Sequence, residues 1–307
     1  MALKVACIGE AMIEISSPPG DPSHANIGVA GDTLNTAIYL ARMAGAGVAV
    51  SYVSALGDDP YSDRIAGFMA AEGVGTDAIA RLPGRLPGLY AISTDADGER
   101  SFHYWRAQAA ARSMFDGPAG PDFSALAGVD VLYLSAITLA ILPPATRAAL
   151  IVQLGALRAD GVRIAFDSNW RPRLWDSADA ARDAVMAMWA ISDIALPSLD
   201  DEMALFGDVS EAACMARISA VCPGIGALKR GPSGPAPINA EVGAQVFAPA
   251  ARMIDSTAAG DSFNGGFLAA HLAGAGIGAA MQAGHDCARI VVGHRGAIIP
   301  RAAMPTP

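Results

Sequence analysis

The chain has 307 residues, 52% hydrophobic and 17% charged, which suffices for one large α/β domain or two small ones around a continuous core. Its formal net charge of −9 excludes nucleic acid and anionic membranes as partners, since both demand a basic surface, and leaves an anionic small molecule only if arginines are placed locally. Cys7, Cys214, Cys222 and Cys287 form no C-x-x-C pair, so neither a disulfide framework nor a zinc site is indicated, and buried free thiols in the cytosol are expected.

Taken in order, Lys4 to Ile8 is a short β-branched run that reaches Gly9-Glu10, too soon for a signal peptide. It reads as a buried parallel strand delivering its C-terminal end to a site. Met12 to Ile15 alternates weakly and runs into the turn-rich Ser16 to Asp21. Gly31-Asp-Thr-Leu-Asn35 opens a helix with Leu34, Ile38 and Ala41 on its apolar face. Asp32 or Thr33 can cap it, or Asp32 and Asn35 can present polar groups at its mouth. Val48 to Val53 is the next strand, and Asp59-Pro60 leads into a helix through Met69. This alternation predicts a largely parallel sheet covered on both faces.

Leu86 to Ile92 and Arg100 to Arg106 flank Asp95-Ala-Asp-Gly98 as a β-hairpin. The second strand alternates, with Phe102, Tyr104 and Arg106 on one face and Ser101, His103 and Trp105 on the other. Phenol and guanidinium on one face suit a small polyhydroxylated acid, whereas Phe102 and Trp105 read better as aromatics packed for stability. Val131 to Ile137 is a buried strand; the apolar stretch containing it, Val129 to Leu142, is too short and polar to span a bilayer. A helix is expected over Pro143 to Leu157 and a strand over Val162 to Phe166, after which Asp167, Asn169 and Arg171 alternate toward a crevice. Strands are also expected over Ile191 to Leu196, before Pro197-Ser-Leu-Asp-Asp-Glu202, and over Ile225 to Leu228, before Lys229-Arg-Gly231-Pro-Ser-Gly234.

Asp255-Ser-Thr-Ala-Ala-Gly-Asp261 carries the chemistry. Ala258, Ala259 and Gly260 let an anion approach the backbone N–H groups at the positive end of a helix starting near Asp261. A carboxylate amid an anion site needs a task, and the fitting one is to take a proton from a hydroxyl while the loop steadies a transferring phosphoryl group. An ordinary acid at a helix start is the alternative reading of the same letters. Gly274 to Gly278 is a turn, and His271, His285 and His294 have no metal spacing.

Asp255-Ser-Thr-Ala-Ala-Gly-Asp-Ser-Phe263 resembles the C-terminal signature of the ribokinase-like (PfkB) sugar kinases, with Ala258 where many members have Gly. Ile8-Gly-Glu-x-Met-Ile-Glu14, Gly31 to Asn35, Leu86-Pro-Gly-Leu-Tyr90, Tyr104-Trp-Arg106, Arg171 to Trp175 and Arg295 to Arg301 resemble the 2-keto-3-deoxygluconate kinases within it. Ala30, His103 and Trp170 depart from that pattern beside the pocket. The resemblance implies a three-layer α/β sandwich with a mainly parallel central sheet and a small β lid, one domain over 1–307 with lid segments near 11–30 and 86–106.

It also implies ATP and Mg2+, with Asp261 as general base and the N–H groups of Ala258, Ala259 and Gly260 holding developing charge. Gly31, Asp32, Asn35, Tyr90, Tyr104, Arg106 and Arg171 would hold the sugar acid, Arg106 taking its carboxylate. Asn169, Arg171, Ser198, Lys229, Gly231, Gly234, Ala258, Gly260 and His285 would contact the nucleotide, and Asp201, or Glu202 with a small shift, the metal. Pro232, Pro235 and Pro237 crowd the stretch that usually continues as β structure. A cytoplasmic homodimer or higher oligomer is expected, and a fructose-type kinase, a deoxy-keto-inositol kinase or a non-catalytic sugar-acid sensor are the alternatives.

Overall fold

The computed structural model describes residues 2–17, 23–94 and 100–304. The expected hairpin turn at Asp95 to Gly98, and most of the turn-rich Ser16 to Asp21, lie outside them. The first half runs β1 (Leu3–Ile8), β2 (Met12–Ser16), β3 (Asn26–Ala30), α1 (Asp32–Met43), β4 (Val48–Leu56), α2 (Pro60–Ala71), β5 (Ile79–Arg81), β6 (Gly88–Thr94), β7 (Arg100–Trp105), and the short pair β8 (Asp116–Gly117) and β9 (Gly120–Pro121). The second half runs β10 (Val131–Ser135), α3 (Ala136–Ile141), α4 (Pro144–Ala159), β11 (Arg163–Asp167), α5 (Ala178–Trp189), β12 (Ile194–Ala195), α6 (Leu199–Phe206), α7 (Glu211–Val221), β13 (Ile225–Leu228), β14 (Ala236–Ile238), α8 (Ala259–Leu272) and α9 (Ile277–Val291).

The large sheet has the order β14-β13-β12-β11-β10-β1-β4-β5 and is parallel except for β14. Alternation along β1 explains the layers. Val5 and Cys7 face a core shared with Leu34 and Ile38 of α1, Ile65 of α2, Phe267 of α8 and Met281 of α9. Ala6 and Ile8 face the opposite core, with Leu139 of α3, Leu150 of α4, Val185 of α5 and Ile218 of α7. A sheet buried on both faces needs apolar residues at successive positions, which is why its strands read as continuous runs. The chain is thus α/β, a three-layer sandwich around a mainly parallel central sheet, as expected. The chain leaves β1 toward β4 and later returns to β10, on the other side of β1, so the strand order reverses there and opens a crevice beyond the strand ends.

The second sheet has the order β3-β2-β6-β7, with β2 and β6 parallel and the outer pairs antiparallel. Its strands fall within the two segments expected to form a β lid. Glu14, Gly28, Tyr90 and Tyr104 share one register row, so Tyr90 and Tyr104 lie side by side with ring centroids 5.7 Å apart.

Three local differences from the expected elements have simple causes. The strand predicted to Ile137 stops at Ser135, whose hydroxyl accepts from the Thr138 N–H and turns the chain into α3. Ile137 and Thr138 look like strand residues only because the helix is buried on every side. Pro237 does not end the β structure after β13: it sits in β14 opposite Ala227, an edge strand where a missing N–H is tolerated. Only Ile194 and Ala195 of the expected Ile191 to Leu196 strand join the sheet.

Candidate active site

The crevice has a volume of about 1230 Å³ and is floored by the ends of the central strands, with the small sheet along one side. Asp261 stands on it in the first turn of α8. That helix begins at Ala259, two residues before the expected start, and its N-cap is Ala258, held in the left-handed region at φ 61°. The side chain of Asp261 is set by α1. Asn35 Nδ2 donates to Asp261 Oδ2 at 2.8 Å, and the Gly31 N–H donates to Asn35 Oδ1 at 3.4 Å, fixing the amide's direction. α1 reaches α8 this closely because of Gly265, where a Cβ would lie 2.5 Å from the Cβ of Tyr39.

Three carboxylates gather here. Asp167, at the end of β11, accepts from Lys229 Nζ and from Asn264 Nδ2, each at 2.6 Å. Asn264 also donates to the Tyr133 hydroxyl at 3.0 Å and accepts from Lys229 at 3.2 Å. Asp32 accepts from the Ser135 hydroxyl and from Asn169 Nδ2. Gly31, not Asp32 or Thr33, is the N-cap of α1, and the Thr33 hydroxyl lies 2.7 Å from that of Tyr52. Asp32 and Asn35 are therefore left for the crevice.

Charge and burial act together on Asp261. Its surface is only partly covered, but it sits deep in the crevice, and this desolvation, followed by the nearby charge of Asp32, pushes its pKa up to about 8. Desolvation likewise raises that of Asp32. A carboxyl poised near neutrality is suited to exchanging a proton with a bound hydroxyl.

Around this centre the crevice is lined by Tyr90, Tyr104 and Arg106 from the small sheet and by Asn169, Arg171, Ser198, Asp201 and Lys229 from the strand ends. The Tyr90 hydroxyl donates to Glu14, and Arg106 pairs with the buried Glu10 while its guanidinium lies 5.8 Å from the Tyr104 ring. Arg171 is 3.5 Å from Asp201, and desolvation raises the Asp201 pKa. Glu202 points away: it is buried against Trp189 Nε1 and paired with Arg217 at 2.9 Å. Of the anion-loop N–H groups, that of Ala259 donates to the Ser256 carbonyl at 3.2 Å. Lys229 overhangs the loop, its Nζ 3.7 Å from where a Cβ on Gly260 would lie.

Gly231, Gly234 and His285 do not line the crevice. Gly231 and Gly234 take positive φ in the turn after β13, and Gly234 lies against the Phe247 ring. Phe247 in turn meets the ring of His285 at 5.1 Å, and His285 Nε2 lies 2.7 Å from the Ala248 carbonyl. Among the described residues no group of three or more His, Cys, Asp or Glu side chains is placed to hold a metal. A single carboxylate such as Asp201 still fits magnesium, which keeps several waters and takes one or two carboxylates plus phosphate oxygens.

Glu10, Ser135 and Asn264 hold the site together without having been picked out by sequence. Asn264 lies three residues after Asp261 on the same helix face, and Glu10 follows the strand expected to deliver its end to a site, signals that sequence offers for both but not for Ser135.

A 2-dehydro-3-deoxygluconokinase of Dickeya dadantii (strain 3937) is 44% identical over 98% of this chain and 98% of its own. One of Escherichia coli (strain K12) is 42% identical over 99% and 100%. Among solved structures, a PfkB protein from Polaromonas sp. JS666 superposes with a TM-score of 0.81 at 27% identity, covering 95% of this chain and 96% of that one. The model of the pfkB family carbohydrate kinases matches residues 2–304, and the chain belongs to that family.

Proposed function

We propose that the protein phosphorylates 2-keto-3-deoxygluconate at its 6-hydroxyl with ATP, giving 2-keto-3-deoxy-6-phosphogluconate and ADP. The observation that carries this reading is the pairing, in one crevice, of Asp261 at the N-terminus of α8 with Arg106 and two tyrosines on the small sheet. The former suits phosphoryl transfer to a hydroxyl, the latter a sugar bearing a carboxylate. The names of the full-length relatives agree with it.

Asp261 takes the proton of the 6-hydroxyl as its oxygen bonds to the γ-phosphorus, and the bond from that phosphorus to the β–γ bridging oxygen breaks. Asn35 aims the accepting carboxylate. The positive end of α8, with the Ala258 and Gly260 N–H groups and Lys229, stabilises charge on the phosphoryl oxygens. Lys229 must then exchange part of its contact with Asp167 for phosphate. Asp201 would hold magnesium, which would supply neutralisation of the phosphate charge. Gly31, Asp32, Asn35, Tyr90, Tyr104 and Arg171 orient the sugar, while Asn169, Arg171 and Ser198 would meet the nucleotide inside the crevice, and Gly231, Gly234 and His285 would meet it only beyond the crevice.

The chain acts as one domain whose small sheet is a lid over segments 11–30 and 86–106, closing to exclude water so that ATP is not hydrolysed. Ile27, Leu86 and Trp105, exposed on or beside that sheet, suit a homodimer contact. The reaction belongs in the cytosol, where ATP is supplied; among the described residues no helix is long and apolar enough to cross a membrane.

The test is ATP-dependent phosphorylation of 2-keto-3-deoxygluconate beside fructose and ribose at matched concentrations with magnesium. Strong preference for the keto acid is expected. Preference for a neutral sugar removes the Arg106 assignment, and inactivity on all three moves the protein to a sugar-acid sensor.

A further inference from the structure

Arg106 follows directly on β7, an edge strand of the small sheet, so its backbone belongs to the more mobile of the two sheets in the reading above. Its guanidinium is nevertheless nine-tenths buried and tied to the main sheet, because Nη2 donates to Glu10, just beyond β1. Glu10 is 1% exposed, and a carboxylate so placed is retained at a desolvation cost unless it is paired. The pair is incomplete: Glu10 Oε1 and Arg106 Nε are both buried with no hydrogen-bond partner. A bridge kept for stability alone would satisfy both atoms, since each buried orphan carries its full desolvation cost. Space for Glu10 is carved by Gly88, the first residue of β6, where a Cβ would lie 2.2 Å from Glu10 Oε1.

We infer that Glu10 is a positioning residue: it fixes the Arg106 guanidinium at the crevice wall and thereby sets the preference for an acidic over a neutral sugar. The inference rests on the proposed reading of Arg106 as the carboxylate's partner. A guanidinium already ordered and buried binds a carboxylate without first losing rotamer freedom, and its planar fork rewards a carboxylate over a hydroxyl. Asp32 and Arg112 also act electrostatically on Glu10, but neither replaces it as the hydrogen-bond acceptor of Arg106.

The experiment compares steady-state kinetics with 2-keto-3-deoxygluconate and with fructose for the wild type, Glu10→Ala, Glu10→Gln and Gly88→Ala. KM for the keto acid should rise by about 10- to 100-fold in Glu10→Ala and Gly88→Ala, with KM for ATP and for fructose little changed and kcat changed less than KM. Glu10→Gln, whose amide oxygen still accepts from Nη2, should restore most of the affinity. Unchanged keto-acid KM in Glu10→Ala and Gly88→Ala overturns the inference alone, as does an equal loss for both sugars or a lowered KM in Glu10→Gln, which would make Glu10 a competitor of the substrate. A wild type with no preference for the keto acid removes the Arg106 reading and the role of Glu10 with it. If Glu10→Ala does not fold, Gly88→Ala and Glu10→Gln decide.

Discussion

Asp261 binds its proton in the folded chain up to about pH 8, because burial and the charge of Asp32 oppose ionisation. An unfolded aspartate releases it at about pH 4. Between those values the folded state holds the extra proton, so the contribution of this residue to stability falls as pH rises and is fully lost above its folded pKa. Asp261→Asn should therefore melt above the wild type at pH 9 and show no such gain at pH 4, which calorimetry would read. The same variant should lose turnover by about three orders of magnitude or more while still binding substrate. In the wild type, kcat/KM should climb with pH through about 8, and the variant should lack that limb. Unchanged turnover would remove Asp261 from the role of base. A second residue effect concerns Ala258, whose φ of 61° costs an L-residue energy that glycine avoids. Ala258→Gly should stabilise the fold by about 0.5–1 kcal/mol in chemical denaturation. No change there would mean that the surrounding loop relaxes around the alanine.

At the scale of elements, catalytic geometry depends on how closely α1 crosses α8. Gly265 lies under Tyr39, Leu40 and the Thr36 carbonyl, so a methyl group has nowhere to go without separating the helices. Gly265→Ala should destabilise by about 1–3 kcal/mol and, because Asn35 then no longer reaches Asp261, lower kcat as well. A loss of stability with kcat intact would show that Asn35 does not need its present distance. α1 and α8, with Asn35 and Asp261 at their starts, are legible in the sequence because caps, small-residue loops and apolar spacing are local signals. α3 is not, since its β-branched residues hide a helix buried on all sides, nor is β14, where an edge position makes proline harmless.

For the whole molecule, the small sheet supplies Tyr90, Tyr104 and Arg106 while the strand ends and α8 supply the rest, so the crevice is complete only when the two are apposed. In hydrogen exchange, keto acid with a non-hydrolysable ATP analogue should slow the amides of β6 and β7 and leave those of β10 and β11 unchanged. Equal protection everywhere would argue for general stabilisation in place of lid closure. Sequence alone determined the α/β class, the parallel sheet, and the residue types at the mouths of the helices, since period, turn chemistry and the Asp255–Asp261 loop are written in consecutive residues. Only the tertiary structure decided that Asp201 and not Glu202 faces the crevice, that Lys229 rests on Asp167, and that Glu10 holds Arg106. Those pairings join residues far apart in the chain, and their energies exist only once packing has removed water from between them.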